Sequence, residues 1–300
     1  MKINYPILYC CYNRLELIKK SIDVIKNIEC KKIYISIDGP KNDYEDLRKN
    51  TEIIKFLSSI TFKSEKEILI RKKNLGCKIA MSTSIDWFFE REEAGIILEE
   101  DILPSESFFY FCEFALKKYE NSESVMMISG TNYLGAGLQS NRYFFSEHFL
   151  IWGWASWRRA WKYYDVNMKN WKNNIIKEKI KRRYSIKEYN FLNERFNSFF
   201  HDYSDTWDIQ WYFACIENNG YTVMPEANLV SNFGVEGTHS NEYYKTLFLK
   251  TGKVDIQKII FPDKIERNLD FDMKLHKKFN FKNNYLSKLR SLFKRFFFNL

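Results

Sequence analysis

Glycine and proline are scarce in this 300-residue chain, at 11 and 5, and it carries no internal repeat or low-complexity run. That excludes solenoids, collagen-like stretches and long flexible linkers. The six cysteines, Cys10, Cys11, Cys30, Cys77, Cys112 and Cys215, include no Cys-x-x-Cys pair. Zinc spacings are therefore missing, and most of the thiols sit in apolar patterns that read as buried. No apolar run approaches the roughly 20 residues needed to span a bilayer. The opening "MKINYPILYCCYNRLE" breaks its apolar run too early for a signal peptide. These absences point to a cytoplasmic protein. Acids are missing after Asp272, while Lys277, Lys278, Lys282, Lys288, Arg290, Lys294 and Arg295 follow it, so most of the net charge of +9 lies in the tail.

Apolar residues, by contrast, make up 45% of the chain, enough for a sizeable core. Through the first half, strand-like runs alternate with helical patterns. "YPILYCCYN" (5–13), "KIYISIDGP" (32–40), "EILIRKKN" (67–74), "AGIILEED" (94–101) and "SVMMISGTN" (124–132) are separated by amphipathic stretches, the last of them across 105–119. Such alternation predicts right-handed βαβ units, hence an α/β fold with a mostly parallel central sheet covered by helices on both faces. After residue 132 the rhythm is lost. Residues 142–165 read as a strand, a turn at Gly153 and a tryptophan-rich helix. A charged helical excursion follows across 166–200, then a helix ending near Gly220 and a strand pair.

Ligands of such sheets bind at the carboxyl ends of the strands. Four polar clusters fall there: Tyr12-Asn13-Arg14, Asp38-Gly39, Asn74 and Glu99-Glu100-Asp101. The acidic triplet asks for a cation, because two like charges about 4 Å apart cost about 4 kcal/mol at an effective dielectric near 20. It reads equally as a solvated strand end before a helix whose N-terminus favours acids. Asp38 before Gly39-Pro40 also fits ordinary turn chemistry.

Eight segments in order, "CYNR", "SIDG", "KIA", "ILEED" with a downstream "FF", "SGTN", "IWGWASWRRAW", "TWDIQW" and "FGVEGTHS", give the chain its family resemblance. Over roughly residues 5–240 it resembles the GT-A glycosyltransferases, in particular the inverting Golgi N-acetylglucosaminyltransferase I family and related bacterial glycosyltransferases. The resemblance implies a GT-A (Rossmann-like) domain over 1–275, with a nucleotide-sugar-binding half at 1–132 and an acceptor-side half at 133–275. It implies Mn²⁺ or Mg²⁺ held by Asp101 and bridging the donor's phosphates, as hard oxygen ligands suit those ions. Glu99 and Glu100 would contact the sugar or ribose, and Glu100 departs from the family's middle Asp. Asp38 would accept a hydrogen bond from uracil, which favours a UDP-sugar. Tyr12, Asn13, Arg14, Asn74 and Lys78 fall at donor-binding positions, with Arg14 available for a diphosphate oxygen.

Asp208 matches the family's base, which takes the proton of an acceptor hydroxyl on a glycan, glycolipid or glycoprotein. Asp205 is the fallback, although Ser204 or Asp205 also reads as an N-cap with Asp208 at the third helical position. Trp152 would stack on a sugar, and His239 would reach phosphate or metal from a closing loop.

A sugar nucleotidyltransferase uses a similar sheet but would place a glycine-rich loop after the first strand, where "CYNRLELI" has none. A non-catalytic basic membrane-binding protein is the other rival. Nucleic acid is not expected as a partner, because the positive charge lies away from the acidic edge. In 276–300, Leu286, Leu289, Phe293, Phe296, Phe297 and Leu300 recur at three- and four-residue steps among basic residues. This pattern fits a helix lying on an anionic membrane surface, which would make the enzyme peripheral on the inner face of the cytoplasmic membrane.

Overall fold

The structure is a computed structural model and describes residues 2–201, 205–234 and 250–278. In the first half, β1 (Ile7–Cys11), α1 (Leu15–Ile25), β2 (Ile33–Ile37), α2 (Tyr44–Ser59), β3 (Lys66–Ile70), α3 (Gly76–Phe89) and β4 (Ala94–Glu99) follow the alternation of the sequence. A short β5 (Ile102–Pro104) comes next, then α4 (Glu106–Lys118) and β6 (Val125–Ser129). The second half holds β7 (Tyr143–Ser146), β8 (Trp154–Trp157), α5 (Arg158–Trp161), α6 (Asn174–Arg183), α7 (Ile186–His201), α8 (Asp208–Glu217), β9 (Tyr221–Pro225) and β10 (Val230–Asn232). Residues 269–278 are again helical.

Eight strands form one sheet in the order β3-β2-β1-β4-β8-β6-β9-β7, and β5 pairs with β10 apart from it. β1 is parallel to both β2 and β4, and β2 to β3. Beyond β4, β8 runs antiparallel between β4 and β6, and β7 closes the far side antiparallel to β9. Three strands from beyond residue 132 thus join the sheet begun by the first half.

The unbroken "ILYCC" of β1 is buried on both faces, as central parallel strands are. Ile7, Tyr9 and Cys11 pack on one side with Ile18 and Ile22 of α1, Ile53 of α2 and Phe108 of α4. Leu8 and Cys10 pack on the other with Ile85 and Phe88 of α3 and a tryptophan cluster. In that cluster Trp154 stacks on Trp207 at 5.6 Å and Trp161 meets Trp211 at 5.1 Å. Contacts of this kind add about 0.5–1.5 kcal/mol each beyond the area they bury. The thiols behave as read, with five buried and Cys77 partly open.

The segment 250–278 runs along β7, forming bridges Gln139↔Lys253, Arg142↔Ile260 and Phe145↔Arg267. Arg267 anchors it, donating to Asp272 at 2.7 Å and pairing with Glu188 of α7. Beside this clasp the buried His148 ring meets the Tyr212 hydroxyl at 2.9 Å through Nδ1. No helix among the described residues is long and apolar enough to cross a membrane.

Candidate functional site

Parallel register brings the strand ends together. Cys11 lies opposite Ile37, and Cys10 opposite Glu99. The residues that leave β1, β2 and β4, namely Tyr12 to Arg14, Asp38, and Glu100 with Asp101, therefore emerge side by side.

The acidic triplet already has a cation. Glu100 is buried, accepts the Tyr12 N–H at 2.7 Å and is paired with Arg14 Nε. Arg14 Nη2 lies 3.1 Å from Asp101 Oδ2. The Arg14 guanidinium expected to meet a phosphate is engaged by two carboxylates through Nε and Nη2. The cause is burial, since a carboxylate as enclosed as Glu100 needs a charged partner. Burial pushes the Glu100 carboxyl above its ordinary range, and Arg14 opposes the shift. Glu99 is only partly buried at the end of β4 and has no hydrogen-bond or ion-pair partner among the described residues. Burial, then the charges of Asp101 and Asp208, push its carboxyl up to about 8.

Asp38 is fixed by the turn that follows β2. Its carboxylate accepts from Gly39 N at 2.9 Å, from Leu75 N at 3.1 Å and from Asn74 Nδ2 at 2.9 Å. Burial raises this carboxyl above its usual range despite those donors. The turn role is thus present, and Asn74 acts on Asp38.

Asp46 was not singled out from the sequence. It accepts from the Tyr12 hydroxyl at 2.6 Å, from Asn13 Nδ2 at 2.8 Å and from Lys41 N at 2.6 Å, and so orients the first cluster. Burial works to raise its carboxyl, but these hydrogen bonds outweigh burial and hold it low. Its place in the first turn of α2, three residues after the cap Asp43, carries no local sign of these contacts.

On the acceptor side, Asp208 opens α8. Its carboxylate takes Arg195 Nη2 at 3.0 Å and the Thr206 hydroxyl. Its charge adds, after burial and nearer carboxylates, to the upward shift of the Glu99 carboxyl and the Cys77 thiol. The reading of Ser204 or Asp205 as cap of this helix is corrected: Trp207 occupies the N-cap position, and Asp205 instead accepts from the Cys77 and Lys78 amides of α3. The Lys78 ammonium lies 5.4 Å from the centre of the Phe199 ring. Trp152 is partly buried, its ring edge-on to Tyr133 at 5.3 Å. His239 lies outside the described residues.

Among the described residues no three His, Cys, Asp or Glu side chains converge as a cage for a metal. A single carboxylate suffices where substrate phosphates supply the other oxygens, as is common for Mg²⁺. Asp101 fits that role. A Cβ added at Gly234 would stand 2.3 Å from Asp101 Oδ2, so the backbone there packs against the carboxylate at a distance that only glycine allows. Phe233 N donates to the Asp101 carbonyl at 2.8 Å and fixes this approach.

No family model and no curated protein matches the chain. Among solved structures it is similar to the mannosyltransferase PcManGT from Pyrobaculum calidifontis, in complex with GDP-Man and Mn²⁺. That likeness has 10% identity and a TM-score of 0.36 over 56% of this chain and 49% of the other, so the chain spans about half the mannosyltransferase's length. An apo UDP-glucose pyrophosphorylase aligns at 11% identity and a TM-score of 0.36, over 80% of this chain and 98% of that one. A second, complexed with UDP-glucose, gives 10% identity and a TM-score of 0.28, over 54% of this chain and 79% of that one. These likenesses are too distant to assign a role to any residue.

Proposed function

We propose that the chain is a metal-dependent glycosyltransferase that moves a sugar from a nucleotide sugar, with UDP as the carrier, to a hydroxyl of a glycan, glycolipid or glycoprotein with inversion. The observation that carries this reading is that Asp38 and the Arg14-braced Glu100 and Asp101 leave neighbouring strand ends, while the segment opening α8 at Asp208 is tied to the same edge through Asp205 and the amides of α3.

Asp38 presents an oriented acceptor for the base, with Tyr12 and Asn13 fixed beside it by Asp46. Asp101 would hold a divalent cation. Such an ion supplies Lewis-acid stabilisation of the departing diphosphate. Asp208 takes the proton of the acceptor hydroxyl as its oxygen bonds to the anomeric carbon. The bond from that carbon to the diphosphate breaks, and UDP leaves with the electron pair. The tail at 276–300 holds the enzyme at an anionic membrane surface.

Purified protein is tested against a panel of UDP- and GDP-sugars with and without Mn²⁺, for binding and for sugar release. Metal-dependent uridine nucleotide binding is expected. Asp208→Asn keeps donor affinity and loses transfer. Formation of a nucleotide sugar from a sugar 1-phosphate and UTP, without transfer to any hydroxyl, overturns the reading in favour of a nucleotidyltransferase.

A further inference from the structure

The residues at the start of α8, Asp205-Thr206-Trp207-Asp208, are held both by α8 itself and by α3, α7 and β8. Trp207 is buried and stacks on Trp154 of β8 at 5.6 Å. The Thr206 hydroxyl turns onto Asp208, and its carbonyl accepts from Gln210 Nε2 at 2.6 Å. Asp208 is braced by Arg195 of α7.

Asp205 reaches furthest. Its Oδ2 lies 2.7 Å from Cys77 N and its Oδ1 2.8 Å from Lys78 N. α3 has no side-chain cap of its own, since Leu75 at its N-cap makes no such bond. A carboxylate far along the chain therefore satisfies two of its free amides and complements its dipole. Gly76 is shaped for this contact. Its φ is +76°, and a Cβ there would stand 2.7 Å from Asp205 Oδ2. The same helix terminus also gives its Leu75 amide to Asp38. One helix end thus holds a carboxylate from the donor side and another from the acceptor side.

We infer that Asp205 is a positioning residue for Asp208: by tying the segment ahead of α8 to the N-terminus of α3, it sets the distance between the accepting carboxylate and a donor bound at Asp38 and Asp101. The inference rests on the reading of Asp208 as the base. Direct displacement is sensitive to such distances, because a misplacement of about 1 Å can cost about 100-fold in rate. A cap that only steadied α3 would change stability and leave turnover of the folded protein intact.

The test compares Asp205→Ala, Asp205→Asn and Gly76→Ala with Asp208→Asn, all at a temperature where each is folded. Donor affinity, kcat and hydrogen exchange at the Cys77 and Lys78 amides are measured on the full chain. Asp205→Ala is expected to lose protection at both amides and to keep donor affinity within about twofold, while kcat falls about tenfold or more. Asp205→Asn restores part of that loss, because its amide oxygen still accepts one of the two bonds. Gly76→Ala, which crowds the carboxylate from the other side, lowers kcat in the same sense. Wild-type kcat in Asp205→Ala beside an inactive Asp208→Asn overturns the inference and leaves the base reading standing. A loss confined to donor affinity overturns it as well. Wild-type turnover in Asp208→Asn removes the base reading, and the inference falls with it.

Discussion

Arg14 Nη2 lies 3.1 Å from Asp101 Oδ2, so the carboxylate proposed to receive a divalent cation is already paired with a guanidinium inside the protein. The same guanidinium serves the buried Glu100. A metal at Asp101 therefore competes with Arg14, or frees part of it for the donor's phosphates.

Replacing Arg14 with Met leaves Glu100 buried without its cation. The expected cost is about 2–3 kcal/mol, toward the low end for a broken buried pair because Arg14 and Asp101 remain in part open to water. Mn²⁺ should return some of this stability, since an ion that binds only the folded state raises it by mass action. Thermal melting with and without Mn²⁺ checks both effects. A variant that melts like the wild type in the absence of metal contradicts the pairing.

Gly234→Ala puts a methyl carbon 2.3 Å from Asp101 Oδ2, closer than contact allows, so the carboxylate must shift. The expected result is a folded protein whose Mn²⁺-dependent UDP affinity falls about tenfold, or about 1.4 kcal/mol, and whose metal-independent binding is unchanged. Titration calorimetry reads the difference, with Asp101→Ala as the limiting case.

His148 gives a pH dependence away from the site. Burial holds its imidazole below the ordinary 6.5, with Asp272 opposing the shift and Arg267 and His276 adding to it. Its ring also meets the Tyr212 hydroxyl. Below that value the unfolded imidazole binds a proton that the folded one refuses. The contribution to stability is therefore full above about pH 6.5 and is lost as the pH falls. Buried acids with raised values act in the opposite sense, so the difference between wild type and His148→Gln isolates this term. Urea midpoints of the two should converge on acidification. A constant gap between them would contradict the assignment.

Liposome co-sedimentation tests the tail. The full chain should bind vesicles containing anionic lipid and release them at high salt, while a chain ending at Phe281 should not bind. Equal, salt-insensitive behaviour of the two would remove the membrane role.

Four of the first long strands, β1, β2, β4 and β6, were legible because each is an apolar run whose burial on both faces marks the local sequence, while the edge strand β3 showed through its place in the alternation. The insertion of β8 between β4 and β6 was not legible. Trp154 pairs with Ile97 on one side and Ser129 on the other, and a four-residue strand carries no sign of its neighbours. The site divides in the same way. That Asp38 and Asp101 sit at strand ends follows from where apolar runs stop. That Arg14 turns onto Glu100, that Asp46 collects Tyr12 and Asn13, and that Asp205 caps a helix more than a hundred residues earlier all depend on contacts between distant parts of the chain. Local propensity explained Asp205 as the cap of its own helix, which hid its longer reach, and Asp46 carried no local sign at all.

The strap at 250–278 bears on how the chain can be cut. β7 ends the sheet, and the strap bridges its Phe145 and the residues Gln139 and Arg142 that lead into it. At the opposite border β3 begins with Lys66 and Glu67, charges that discourage a visiting strand. A chain stopped before residue 250 would bare β7, whose "YFFS" carries no charge to deter pairing. Such a product would recruit strands from its neighbours and grow into aggregates even with every catalytic side chain in place.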